Sequence, residues 1–125
     1  EHPISFFEAI TALGFVAFAE HPVDVGVIEV GMGGQWDATN VVDADVSVIT
    51  PIGLDHMEYL GNTITEIAAT KAGIIKEQGF VVLAQQTPEA AVELLRRAAE
   101  VGADVATVVS LGLEVYAGDF ASRVH

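Results

Sequence analysis

Residues Val23 to Val30 form an almost unbroken apolar, β-branched run, and this run narrows the possible folds more than any other feature. A strand with one wet face alternates apolar and polar residues. A continuous run is what a strand covered on both faces requires, and such strands belong to parallel sheets. Parallel strands need helical crossovers between them, and the remaining chain supplies both parts. Val46 to Thr50, Phe80 to Ala84 and Asp104 to Val109 read as further strands. Ser5-Phe6-Phe7-Glu8 is a capping box and predicts a helix from about Phe6 to Glu20, with Ile10, Leu13, Ala17 and Phe18 on one face. Gly31 to Asn40 follows as a loop. Thr63-Ile64-Thr65-Glu66 is a second capping box, opening a helix that ends near Gly73. Thr87 caps a third helix, with Pro88 in its first turn and Gly102 at its end. Leu113 to Val124 has a weaker β pattern, read as a hairpin. The expected fold class is α/β: a mostly parallel sheet flanked by helices, with right-handed crossovers.

Composition bounds the function classes. The 125 residues are 51% hydrophobic and 18% charged, which suits one domain with a substantial core. Five basic residues stand against 18 acidic ones, and 5 − 18 gives −13. Nucleic-acid surfaces and anionic membranes both draw on Lys and Arg, so neither is an expected partner. Nucleotide binding stays open, because backbone N–H groups and Mg²⁺ can hold phosphates without altering net charge. The chain has no cysteine, which excludes disulfides and thiolate metal sites. It contains no apolar run of transmembrane length. Glu1-His2-Pro3 is not a signal peptide and lacks an initiator Met, and Ser122-Arg123-Val124-His125 carries no stop signal. Both ends read as positions inside a longer, cytoplasmic chain.

Ligands of open parallel sheets bind beyond the carboxyl ends of the strands, so residues just after each strand are the informative ones. Glu29 sits near the end of an apolar run, where a carboxylate is costly unless paired or bound to a cation. Nucleotide-hydrolysing folds hold Mg²⁺ from such a position. Position alone equally allows a carboxylate that caps nearby backbone or faces solvent. Asp55-His56 follows the Val46 to Thr50 strand, and His56 alone among the four histidines lies on a strand-exit loop. It reads either as a ligand or base, or as a hydrogen-bonded loop residue. Lys71 shares a helix face with Ile64, Ile67, Ala68 and Ile75. Burial disfavours a charged amine, and a neutral amine can react with CO₂ to form a carbamate. The alternative is a lysine that snorkels along apolar surface. Gly31-Met32-Gly33-Gly34 is not a dinucleotide fingerprint, because position 36 is Trp. No G-x-x-x-x-G-K-[ST] phosphate loop occurs in the chain.

An ordered series of short motifs carries a resemblance. Ser5-Phe6-Phe7-Glu8, Glu29-Val30-Gly31-Met32-Gly33-Gly34, Asp37-Ala38-Thr39-Asn40, Ile52-Gly53-Leu54-Asp55-His56, Leu60-Gly61-Asn62-Thr63 and Lys71-Ala72-Gly73-Ile74 occur in this order. Together they resemble the folylpolyglutamate synthase/dihydrofolate synthase family of the Mur ligase superfamily, densely from about Pro3 to Lys76. The resemblance implies an ATP-dependent ligase of the Mur-type P-loop ATPase fold, joining L-glutamate to dihydropteroate or a folate through an acyl phosphate, with ATP and Mg²⁺ as cofactors. It implies that Glu29 and His56 bind the metal and that Lys71 is carbamylated. It also implies that Ser5, Phe6, Phe7 and Glu8, together with Trp36, Asp37 and Ala38, contact the pterin. Ser5 keeps the hydroxyl of the family's usual Thr, whereas Gln35 replaces a common Arg and Thr70 a common Glu.

On this resemblance residues 1–125 are part of the central, ATP-binding domain. The phosphate loop is expected before residue 1 and the glutamate-binding domain after residue 125, so the piece alone is expected to be inactive. Missing the first βα unit, it is expected to bare apolar surface near residues 6 to 30 and to self-associate. Two other readings compete: another Mur-type amide ligase, of cell-wall or cyanophycin type, and a non-catalytic binding domain on the same scaffold.

Overall fold

The computed structural model describes residues 3–108. Three parallel strands, β1 (Val46–Ile49), β2 (Phe80–Leu83) and β3 (Asp104–Thr107), pair in sequence order. Val46 lies opposite Phe80, and Phe80 opposite Asp104. The crossovers are helical: α2 (Met57–Leu60) and α3 (Ile64–Ala72) join β1 to β2, and α4 (Pro88–Val101) joins β2 to β3. Crossovers of one hand between successive neighbours place their helices on one face, and α3 and α4 do pack together there. The expected hairpin at Leu113 to Val124, like His2 and His125, lies outside the described residues.

The core fills the space between that helical layer and the sheet. Ile49, Val81, Leu83 and Ala106 point into it from alternate strand positions, against Ile67, Ala68 and Ala72 of α3 and Ala90, Leu94 and Ala98 of α4. Ile67, Val81, Ala90 and Leu94 are wholly excluded from solvent. Ser47 is the one strand residue that brings a hydroxyl into this layer, and it donates to the Ile74 carbonyl at 2.8 Å. Both predicted capping boxes form. Ser5 Oγ accepts from the Glu8 N–H while Glu8 returns a bond to the Ser5 N–H, and Thr63 and Glu66 do the same. The Glu8 carboxyl is held below its ordinary value by Ser5, through its hydroxyl foremost and then its backbone N–H. Gly102 closes α4 with φ +67°, a left-handed turn that glycine takes without strain.

Two expectations are corrected. Residues 23–30 form no strand: a run becomes a strand only where a neighbour shares its backbone groups, and β1, β2 and β3 pair only with one another. Val25 and Val27 are instead 79% and 89% exposed. The sheet is covered on one face rather than two, because Val46, Val48 and Val105 on the other face remain exposed. Helix α1 (Phe6–Glu20) has the predicted bounds but buries no residue, and Ile10, Leu13, Val16 and Phe18 all stay open to solvent. The apolar exposure anticipated near residues 6 to 30 is therefore present. Among the described residues no helix is long and apolar enough to cross a membrane.

Candidate active site

The loop after Val30 runs through Gly31 to Asp37 into a short 3-10 turn, Ala38–Val41. Its glycines are explained by what they touch. A Cβ on Gly31 would lie 2.4 Å from the Phe7 ring, so this ring of α1 rests directly on the loop. Gly33, with φ +77°, would place a Cβ 2.9 Å from Leu60 of α2 and 3.2 Å from Thr70 of α3. Gly34 lies against the carbonyls of Thr70 and Lys71. Only a chain without side chains can pass so near a helix end.

The three sequence-predicted candidates lie on the segments that this packing joins. Glu29 precedes Gly31 by two residues. Together with Phe7, Thr11, Phe15 and Phe18 of α1, it lines a cleft of about 220 Å³. That volume is below the usual range for a drug-sized ligand, roughly 300–1,000 Å³. His56 lies beyond the carboxyl end of β1 and opens α2, whose Leu60 touches Gly33. Lys71 lies in the last turn of α3, beside the Thr70 that touches both Gly33 and Gly34. The segments that carry Glu29, His56 and Lys71 thus touch at Gly33-Gly34 through Leu60, Thr70 and the Lys71 carbonyl, not through the three side chains themselves. Lys71 is half-buried: Ile67, Ala68 and Ile75 of its predicted stripe are buried, while Ile64 and the lysine lie at the margin.

His56 has φ 50° and ψ 37°, the left-handed conformation. For a residue other than glycine this costs about 1–3 kcal/mol, and such strain concentrates at functional sites. The His56 N–H donates to Asp55 Oδ1 at 2.8 Å, and its ring lies 3.6 Å from the same carboxylate. Both side chains are well exposed, so the pair adds little stability. Gln78, the other such residue described, is a different case: it turns the chain before β2, and its N–H donates to Val101.

The residues predicted to contact a pterin divide into two groups. Phe6 and Trp36 are 82% and 86% exposed, with their faces free. The others already serve the fold: Ser5 and Glu8 bond each other, Phe7 packs on Gly31, and Ala38 begins the 3-10 turn. Asp37 caps that turn, with one oxygen accepting from the Thr39 N–H and hydroxyl and the other from the Met32 N–H at 2.8 Å. Partial burial pushes its carboxyl up, but the Thr39 hydroxyl and the N–H groups of Met32, Thr39 and Gly31 outweigh this and hold it below the ordinary aspartate value.

Several residues without a motif shape the site. Gln86, beyond β2, accepts from the Ile52 N–H at 3.0 Å and donates to the Thr50 and Ile49 carbonyls, steering the exit of β1 toward His56. Asn40 and Lys76 tie the glycine loop to the end of α3. No local sequence signal marks these contacts, which span more than 30 residues.

Among the described residues no three His, Cys, Asp or Glu side chains gather as a metal cage. Mg²⁺ does not need one, because it retains waters and commonly takes one or two protein ligands plus phosphate oxygens. Glu29 and His56 are both exposed and both belong to types that can ligate such an ion.

Comparison with known proteins gives the family and the fold. Residues 2–121 match the family model described as the Mur ligase middle domain. A dihydrofolate synthase/folylpolyglutamate synthase of Mycobacterium tuberculosis is 50% identical over 109 residues, 82% of this chain and 22% of that protein. A crystal structure of M. tuberculosis folylpolyglutamate synthase complexed with ADP and AMPPCP superposes with a TM-score of 0.80 at 50% identity, covering 86% of this chain and 25% of that one. The E. coli FolC chain in complex with DHPP and ADP gives 0.77 at 38% identity, covering 83% and 25%. The chain thus spans about a fifth to a quarter of the relatives it matches. A three-stranded parallel sheet with helical crossovers, a glycine loop packed on a lysine-bearing helix end, and a family match across nearly the whole sequence lead to one conclusion: the chain belongs to the Mur ligase middle-domain family.

Proposed function

We propose that this chain is the central part of an ATP-dependent ligase that joins L-glutamate to dihydropteroate or a folate. The observation that supports the reading is the packing of the glycine loop, four residues after Glu29, on Leu60 of α2 and on the Thr70-Lys71 turn of α3. The likeness to folylpolyglutamate and dihydrofolate synthases, in structures that hold ADP, AMPPCP and DHPP, supports the substrate class. The phosphate-binding loop and the glutamate-binding domain belong, on this reading, to the rest of a longer parent protein.

In the reaction the substrate carboxylate attacks the γ-phosphorus of ATP, and ADP leaves. The glutamate amine then attacks the acyl phosphate carbon, losing a proton as inorganic phosphate departs. Bound Mg²⁺, held by Glu29 and His56, would neutralise charge on the transferring phosphoryl group. Lys71, as a carbamate formed with CO₂, would add a fixed anion at the helix end to orient the cationic part of the site. Phe6 and Trp36 offer free aromatic faces for a flat pterin ring.

The test is turnover by the full-length parent protein, measured as ADP release with ATP, glutamate and each candidate acid. Dihydropteroate or a folate is expected to support turnover, and Lys71→Ala to lower kcat at least about 100-fold. Turnover only with a cell-wall or cyanophycin-type acceptor, or with none, would overturn the proposal.

A further inference from the structure

The glycine loop and the end of α3 are joined by one side chain. Asn40 Nδ2 lies 3.2 Å from the Gln35 carbonyl and 3.2 Å from the Gly73 carbonyl. Both partners are acceptors, so only the NH₂ end of the amide can face them. The backbone carbonyl of Asn40 in turn accepts from Lys76 Nζ at 2.9 Å. Beside this junction the Gln35 N–H donates to the Thr70 carbonyl at 3.0 Å. Four bonds thus fix Gln35 against residues 70–76. Gln35 is followed immediately by Trp36 and Asp37, and Thr70 is followed by Lys71.

We propose that Asn40 is a positioning residue for the acid-binding step: it sets Trp36 and the loop around it relative to the Lys71 end of α3. The inference rests on the ligase reading above. Asn40 touches no reacting atom on this view. It acts through the Gln35 and Gly73 carbonyls, to both of which its amide donates. Its amide answers a specific need, because two carbonyls from different segments must share one donor group. Aspartate at this place would turn a carboxylate oxygen toward both of them, and alanine would leave both without the donor.

The experiment uses the full-length parent protein with Asn40→Ala and Asn40→Asp. In both variants the KM for dihydropteroate or folate is expected to rise about tenfold, while the KM values for ATP and glutamate stay within twofold of wild type. A residue needed only for folding would lower active enzyme without separating the three KM values. The same variants are expected to show amide exchange at Gln35 and Trp36 at least about tenfold faster, with the exchange of β2 unchanged. Unaltered KM for the acid, or an equal rise for all three substrates, would overturn the proposal. A wild type lacking acid-dependent turnover would remove the ligase reading itself and the positioning role with it. Unchanged exchange at Gln35 would instead disprove the clamp, whatever the activity.

Discussion

Replacing Gly73 with alanine sets two physical effects of opposite sign against each other. Gly73 ends α3 in a right-handed conformation, φ −62° and ψ −11°, so alanine is allowed by the backbone. By helix propensity alone Gly73→Ala should stabilise the protein by about 0.5–1 kcal/mol. Its neighbours dictate otherwise. The new Cβ would lie 2.4 Å from Gln35 Cβ and 2.6 Å from Gln35 Cα. The first of these is about 1.1 Å inside the roughly 3.5 Å at which carbons sit comfortably. The Gln35 atoms belong to the backbone and its first side-chain carbon, so they cannot rotate away. Moving the loop by that amount would stretch the Gln35 to Thr70 bond from 3.0 Å and the Asn40 to Gly73 bond from 3.2 Å beyond useful length. Two lost bonds at about 1 kcal/mol each outweigh the propensity gain, leaving a net cost of about 1–2 kcal/mol. Urea denaturation of the full-length parent should show the loss, and exchange mass spectrometry should localise it to residues 31–41 and the end of α3. A Gly73→Ala protein that is more stable than wild type, with exchange unchanged in the loop, would refute the close-packing argument.

Two further outcomes follow from features of the fold. His56→Gly and His56→Ala both remove the imidazole, but only glycine relieves the left-handed backbone, so the Gly variant should be about 1 kcal/mol more stable than the Ala variant by thermal denaturation; equal stabilities would mean residue 56 carries no strain. The 125-residue chain on its own should self-associate at micromolar concentration through Ile10, Leu13, Val16 and Phe18, which α1 leaves exposed; sedimentation showing a monodisperse monomer would contradict this.

How much of the molecule the sequence discloses depends on how far each interaction reaches. The capping boxes at Ser5 and Thr63 join residues three apart, and both helices begin where the boxes place them. The Thr87 cap, Pro88 and Gly102 bound α4 for the same reason. The strand expected at Val23 to Val30 is different, because composition reports a tolerance for burial but pairing requires a neighbour. The site divides along the same line. Glu29, His56 and Lys71 stand out by type and place, whereas the left-handed backbone of His56 has no signal, since glycine is the residue that normally announces one. Asn40, Lys76 and Gln86 each bind a group 33 to 37 residues away, so their importance appears only once the chain has folded. Asp37 sits in a motif that suggests a ligand contact, yet its carboxylate is spent on the loop itself.

The strand order β1-β2-β3 has a consequence for how the molecule assembles. Each strand finds its partner after a single helical excursion, with register offsets of 80 − 46 = 34 and 104 − 80 = 24 residues. Short closures lose little chain entropy, so this half of the chain can condense early as a cooperative nucleus, with Leu94 and Ile67 meeting over Val81. Helix α1, lacking any buried residue, has little burial to hold it and is expected to join late and to fray first, which amide exchange along residues 6–20 would show. On that order the lysine-bearing end of α3 is in place before the aromatic side chains of α1 settle on the glycine loop.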